Sequence, residues 1–91
     1  MKGATIVDIK AVPAVREGED DAIFWLKSPN ALEEAGIKKG QLLMCMSGED
    51  FNPGHIVVVR YVRKNLVDFE IKYREDCNAG DVVLARVIQI H

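Results

Sequence analysis

The apolar and polar residues divide the chain into six short segments of strand length, separated by polar or Gly- and Pro-containing turns. Most segments are rich in β-branched residues, and several alternate apolar with polar positions, which is the period of a half-buried strand. AIFWLK is instead almost continuously apolar, which at this length indicates a buried strand. The predicted strands cover residues 4–12, 22–27, 41–46, 55–63, 66–74 and 81–90.

The fourth and fifth segments are joined only by Lys64 and Asn65, which predicts a tight antiparallel hairpin. The second arm alternates, so that successive side chains fall on opposite faces. Its apolar face holds Val67, Phe69, Ile71 and Tyr73, and its polar face holds Asp68, Glu70 and Lys72.

One short helix is predicted in SPNALEEAG. Ser28 offers a hydroxyl for the N-cap, Pro29 suits the first helical position, and Gly36 suits the C-terminal cap. This spacing leaves about two turns at 3.6 residues per turn. Polar loops are predicted over residues 14–21 and 47–54. The elements together predict a mainly β fold, a single compact, curved, mostly antiparallel domain over residues 1–91 with one short helix.

The composition is that of a folded chain, with 48% hydrophobic and 29% charged residues in 91. A formal net charge of −2 provides no general basic field for nucleic acid or anionic lipid. No apolar run approaches the roughly 20 residues of a membrane span. Asp8 and Lys10 also interrupt any apolar core of a signal peptide. We therefore expect a cytoplasmic protein that contacts neither membrane nor nucleic acid directly.

The cysteines and histidines predict neither a disulfide framework nor a metal site. Cys45 lies in the apolar run LLMCMS and is expected to be buried, whereas Cys77 is expected in a loop. His55 and His91 bring no ligand partners nearby in the sequence. We expect no metal and no cofactor.

Few residues suggest catalysis from their pattern alone. The run Glu19-Asp20-Asp21 is typical of a solvated loop, and no Gly-rich phosphate loop or His-containing triad is present. Lys72 stands out because Phe69, Ile71 and Tyr73 flank it, although a strand lysine is more often an exposed edge charge than a base.

The order of the motifs resembles the serine–lysine peptidase domain of LexA-type repressors, UmuD and lambdoid phage repressors, which is related in fold to signal peptidases. In that family an apolar strand leads to a Gly-Asp-Ser-Met turn, followed by Asp-Gly-Asp-Leu-Leu, Pro-Gly-Asp-Ile-Val-Val, Glu-Val-Thr-Val-Lys and a final GKVI-like strand. The corresponding segments here, over about residues 22 to 91, are AIFWLK, PNAL, KGQLL, PGHIVV, DFEIK and ARVI.

The resemblance implies a LexA C-terminal-domain-like (β-clip-like) fold with a serine–lysine dyad. Ala31 occupies the position of the nucleophilic serine, and Lys72 occupies that of the general base. In this chemistry a lysine whose pKa is lowered by apolar surroundings takes the hydroxyl proton, and the oxygen attacks a peptide carbonyl. Because alanine has no oxygen, the dyad is broken. Asn30 and Leu32 would line a cleft that could take an extended peptide as an added strand.

Further departures favour natural loss of activity. Pro29-Asn30 replaces Gly-Asp before the nucleophile position, His55 replaces an acidic residue, and the interval after Lys72 is shorter than in repressors. No Ala-Gly or Cys-Gly cleavage bond lies in residues 1–30, and no helix-turn-helix fits upstream of residue 22.

The expected function is a catalytically inactive module for self-association or for binding a protein or peptide, with a homodimer expected and a link to SOS or phage-type regulation implied. One alternative is an active self-cleaving peptidase whose serine was replaced by engineering with Ala31. The segment ALEEAGIKKGQLL also resembles parts of PDZ domains and of AbrB-type DNA-binding domains. The PDZ pattern lacks its carboxylate loop and second helix, and the acidic balance argues against the AbrB type.

Overall fold

Five of the six predicted strands are present, the first is described only at Ile6–Val7, and the described strands lie side by side in one open sheet. The computed structural model describes residues 6–8, 23–48 and 51–91. The fully described strands begin and end within one residue of the predicted bounds. The strands are β1 (Ile6–Val7), β2 (Ile23–Lys27), β3 (Leu42–Ser47), β4 (Ile56–Arg63), β5 (Leu66–Tyr73) and β6 (Val82–Ile90).

The sheet order is β1-β2-β3-β6-β4-β5. β1 pairs with β2 in parallel, and every other pairing in the sheet is antiparallel. β6 lies between β3 and β4, so it joins the β1-β2-β3 part of the sheet to the β4-β5 hairpin. The Cα radius of gyration of 12.4 Å is close to the roughly 12 Å expected of a compact domain of this length. The prediction of a compact, mainly β, antiparallel fold is confirmed.

The predicted hairpin of β4 and β5 is confirmed, with Arg63 paired to Leu66 on either side of a two-residue turn. Lys64 and Asn65 have φ values of 51° and 65°. Two consecutive left-handed residues match the right-handed twist of the strands, and asparagine tolerates this conformation better than most residues do.

The predicted two-turn helix is wrong. Only Glu33–Ala35 forms a single 3-10 turn, preceded by Leu32 with an extended φ of −134°. Ser28 does not cap it, because its hydroxyl donates a 2.5 Å hydrogen bond to the carbonyl oxygen of Asn30. Gly36 does close the turn, as predicted, with a left-handed φ of 73°. A second 3-10 turn, Arg74–Asp76, follows β5.

The main hydrophobic cluster lies on one face of the sheet, together with the segment between β2 and β3, and Val57 and Val59 are also fully buried on the alternate face of β4. That segment contributes Ile37, which is fully buried, together with Leu32 and Ala35, which pack against the core more loosely. Cys45 is buried as predicted. The sheet contributes the remaining buried members, which are Phe24, Leu26, Leu43, Cys45, Val58, Ile71, Leu84 and Ala85.

Some sequence predictions lie outside the described residues. These are the strand over 4–12 except at residues 6–8, the loop over 14–21, and positions 49–50 of the predicted turn. Among the described residues, no helix is long and apolar enough to cross a membrane.

Candidate functional site

The loop that carries Ala31 is fastened to β5, the strand that carries Lys72. The side-chain amide of Asn30 makes both contacts with one residue of that strand. Its Oδ1 accepts a hydrogen bond from the backbone N–H of Ile71 at 2.8 Å, and its Nδ2 donates to the Ile71 carbonyl at 3.1 Å. Asn30 therefore pairs with the outer edge of β5 as a neighbouring strand would.

This contact requires the sheet to curve. β2 and β5 are four strand positions apart, which is about 19 Å in a flat sheet at about 4.8 Å per position. Asn30 lies three residues beyond the end of β2, a span of at most about 11 Å. The two parts of the sheet must bend toward each other for the Asn30 side chain to reach Ile71. The predicted curvature is thus a consequence of the observed hydrogen bonds.

Of the two predicted cleft residues, Asn30 is hydrogen-bonded to β5 and Leu32 packs against the core. Asn30 uses both polar ends of its amide on Ile71, so the backbone groups that an added peptide strand would need there are already paired. Leu32 is half-buried and packs against the core instead of standing at an open edge. A peptide could extend the sheet at this point only by displacing Asn30.

Lys72 projects to the other face of β5 from Ile71 and ends between two carboxylates. Its Nζ lies 2.8 Å from Oδ2 of Asp81 and 3.1 Å from Oε1 of Glu70. The side chains of Lys72 and Asp81 are only 14% and 5% exposed, and that of Glu70 is 32% exposed. Asp81 Oδ2 also accepts the backbone N–H of Asn78 at 2.9 Å, which fixes the carboxylate in the turn before β6.

The charges around Lys72 favour its protonated form. Partial burial by itself lowers the pKa of Lys72, but the hydrogen bonds to Asp81 and Glu70 and their negative charges outweigh it, so the pKa is raised. The same hydrogen bond from Lys72, together with the Asn78 N–H, lowers the pKa of Asp81. A general base needs the opposite shift, because it must give up its proton near neutral pH.

Ala31 is exposed and adds no reactive group to the loop. Ser28, the nearest hydroxyl in sequence, is 3% exposed and already donates its proton to a backbone carbonyl. Within the part of the chain that the structure describes, the polar contacts of the Lys72 ammonium are with Glu70 and Asp81, and none joins it to the Ala31 loop. The structure brings the loop of Ala31 to the strand of Lys72, but it directs the ammonium elsewhere.

Sequence reasoning did not find the partners of Lys72. Glu70 could have been found, because positions two apart on a strand share a face. Asp81 follows a turn nine residues later, and nothing in the local pattern points it at Lys72. Asn30 was predicted only to line a cleft, and nothing in the sequence indicated that its side chain pairs with Ile71.

A second feature that sequence reasoning missed is the outer part of the β4-β5 hairpin. Val62 and Val67 form a cross-strand pair there and are 68% and 58% exposed. They lie on the core-facing side of the hairpin, where they line a shallow groove with Arg60 and Phe69. We call these four residues, with Val82 of the adjoining β6, the hairpin patch.

Comparison of the chain with protein-family models, with curated proteins and with solved structures gives no match. Among the described residues, no group of three or more His, Cys, Asp or Glu side chains is arranged to hold a metal ion. The function of this chain is therefore inferred from the contacts of Asn30, Ala31 and Lys72.

Proposed function

We propose that this chain is a catalytically inactive, peptidase-like module that acts by binding protein, as a dimer with a second copy or as a receptor for another protein or peptide. A regulatory role of the SOS or phage type is the setting that the resemblance implies. The proposal needs no cofactor, metal or nucleic acid.

The observation that carries the proposal is the environment of Lys72. Its ammonium is held by two carboxylates, at 2.8 Å and 3.1 Å, and these contacts raise its pKa. A proton held in this way is not exchanged with a hydroxyl during catalysis at neutral pH. The nucleophile position, Ala31, has a methyl group in place of an oxygen. Both halves of a serine–lysine dyad are therefore unsuited to hydrolysis.

The fastening of the Ala31 loop to β5 supports the peptidase-like part of the proposal. In a serine–lysine enzyme the nucleophile turn must lie beside the strand that carries the base. Asn30 brings the turn to Ile71, which directly precedes Lys72. The same observation keeps open the second candidate, an active peptidase in which Ala31 was introduced in place of serine.

Restoring the serine separates these two candidates. The Ala31→Ser variant, the Ala31→Ser/Lys72→Ala variant and the unaltered chain are each incubated alone and with casein, and intact masses are followed. Each incubation is run at about pH 7 and at about pH 10. The higher pH lies close to the ordinary lysine pKa of about 10.4, so it increases the fraction of lysine that is deprotonated. We expect no cleavage by any of the three at neutral pH. Cleavage by Ala31→Ser that disappears in the double variant would establish the engineered peptidase, and cleavage by the unaltered chain would refute the proposal.

Self-association is measured separately by sedimentation velocity over a series of protein concentrations. A species of twice the chain mass that grows with concentration would support the dimer. A monomer at every concentration would exclude the dimer and leave only the receptor role.

The PDZ alternative gains no support from the described residues, which contain no α-helix. The AbrB alternative needs clustered basic contacts to phosphate, against the net charge of −2.

A further inference from the structure

The hairpin patch lies on the same face of the sheet as the core, at the end of the hairpin where the core residues stop. The innermost row on this face pairs Ala85, Val58 and Ile71 across β6, β4 and β5, and all three are buried. The next row on the same face pairs Val82 with Arg60 and Arg60 with Phe69. The last row is the Val62–Val67 pair, and no part of the described chain covers it, because both side chains are more than half exposed.

Arg60 lies in the middle of this apolar surface, and no described residue provides it with a countercharge. It is exposed, with Val82 and Phe69 as its lateral neighbours and Val62 next on its own face. Within the described residues, its guanidinium forms no ion pair and no hydrogen bond. The other carboxylates of the hairpin are engaged elsewhere: Asp68 accepts the Tyr61 hydroxyl on the opposite face, and Glu70 contacts Lys72.

Resting on the proposed function, we propose that the hairpin patch is the receptor surface and that its occupant is a peptide segment carrying a carboxylate between apolar side chains. The carboxylate pairs with the Arg60 guanidinium, which can donate two parallel hydrogen bonds to it. The apolar side chains cover Val62, Val67 and Phe69, and so exclude water from that pair. An arginine surrounded by apolar contacts is a recurrent anchor of protein interfaces.

The charge of the hairpin selects this occupant over a second copy of the chain. Residues 60–67, RYVRKNLV, contain three basic and no acidic residues, although the whole chain carries a net charge of −2. A two-fold dimer through this patch would place the same surface on itself and bring two Arg60 side chains together. An acidic segment has the complementary charge. Nucleic acid is disfavoured because Val62, Val67 and Phe69 surround the cation that would meet phosphate.

The hairpin supplies a matched control for the test. Arg63 is exposed, three residues from Arg60, but it lies on the opposite face, where its guanidinium is 5.3 Å from the Tyr61 ring centroid. Arg60→Gln and Arg63→Gln therefore change the charge of the hairpin equally, and only the first changes the patch. In the same way, Val62→Ser alters the patch, and Leu66→Ser alters a position on the other face. The two side chains are similarly exposed, Val62 at 68% and Leu66 at 71%.

The probe is a phage-displayed library of random linear peptides panned on the unaltered chain. We expect selected peptides to combine Asp or Glu with Leu, Val, Ile or Phe. A synthetic, fluorescein-labelled copy of the strongest peptide is then titrated by fluorescence anisotropy against each variant. Arg60→Gln should weaken binding at least about 10-fold, since it removes a charge-assisted contact. Val62→Ser should also weaken binding, and Arg63→Gln and Leu66→Ser should change it by less than about 3-fold.

Five results would overturn this assignment, four from the peptide experiments and one from sedimentation. The first four are no selected peptide, selected peptides without acidic residues, equal loss in Arg60→Gln and Arg63→Gln, or a labelled mixed-sequence DNA duplex that binds more tightly than the peptides. A dimer in sedimentation velocity that Val62→Ser dissociates would also overturn it, because the occupant would then be a second copy. Circular dichroism confirms that each variant is folded. Hydrolysis of the bound peptide would refute the proposed function itself, whereas intact peptides that are insensitive to Arg60→Gln refute only this surface.

Discussion

Replacing Lys72 with methionine tests whether this residue is a structural cation. The change removes the ammonium and keeps an unbranched side chain that can occupy much of the same space. Two contacts are lost, at 2.8 Å to a 5% exposed Asp81 and at 3.1 Å to a 32% exposed Glu70. Asp81 keeps its hydrogen bond from Asn78 but loses its countercharge in a site with little access to water.

The two contacts contribute unequally. A hydrogen bond to a shielded charged group contributes about 1.5 to 3 kcal/mol, whereas a solvent-exposed ion pair contributes about 0 to 1 kcal/mol. Assigning the first range to Asp81 and the second to Glu70 gives about 1.5 to 4 kcal/mol for Lys72→Met. For a domain of this size, where 1 kcal/mol corresponds to about 4 to 8 °C, the melting temperature should fall by about 6 to 32 °C.

The assay is urea unfolding followed by circular dichroism, with Lys27→Met as the control because Lys27 is an exposed lysine at the end of β2. Since the pKa of Asp81 is lowered in the folded chain, its contribution is present above the unfolded pKa of about 3.9 and is lost as pH falls through the lowered value. The difference between Lys72→Met and the unaltered chain should therefore shrink as the pH falls below the unfolded value of about 3.9. Equal losses in the Lys72 and Lys27 variants at pH 7, or a loss in Lys72→Met that does not change with pH, would refute the reasoning.

Three further predictions concern the loop, the thiols and the turn that replaces the helix. Asn30→Ala should cost about 2 to 3 kcal/mol in urea unfolding, because it leaves a backbone N–H and C=O of β5 unpaired. Cys77 should react with a thiol reagent well before Cys45, which is fully buried and whose pKa is raised to about 12 by that burial. Gly36→Ala should cost about 1 kcal/mol because of its φ of 73°, whereas Gly80→Ala, with open space around it, should be near neutral.

Each of these has a contrary result. A loss below about 0.5 kcal/mol in Asn30→Ala would mean that solvent replaces the amide. Labelling of Cys45 at the rate of Cys77 in the folded chain would mean that β3 opens locally. Equal losses in Gly36→Ala and Gly80→Ala would show that the left-handed conformation of Gly36 is not the cause.

The strands were predictable because their signal is local. β-branched runs and the two-residue Lys64–Asn65 connection specify strands and a hairpin without reference to the rest of the chain. Ile71 illustrates the limit of this reasoning, because alternation assigned it the same face as Val67, yet Ile71 is buried and Val67 is 58% exposed. The pattern predicts the face, and only the extent of the core decides which positions on that face are covered.

The predicted helix does not form because the polar groups at its start make other hydrogen bonds, one within the loop and one to a distant strand. Ser28, the predicted N-cap, donates to a carbonyl of the loop, and Asn30 pairs with Ile71, 41 residues away. The bridge between Leu32 and Ile37 then limits the remainder to one 3-10 turn. For the same reason the site could not be fully predicted, since Lys72 meets Asp81 only after the turn before β6 has formed.

The position of β6 has a consequence for folding during synthesis. Every other strand precedes β6 in the chain, yet β6 lies between β3 and β4, which do not pair with each other. The β4-β5 hairpin can form early because its contacts are local, but it has no strand through which to join β3 until β6 leaves the ribosome. Until then the hydrogen-bonding edges of β3 and β4 are both unpaired. A nascent chain of this protein therefore exposes two strand edges that the finished sheet conceals.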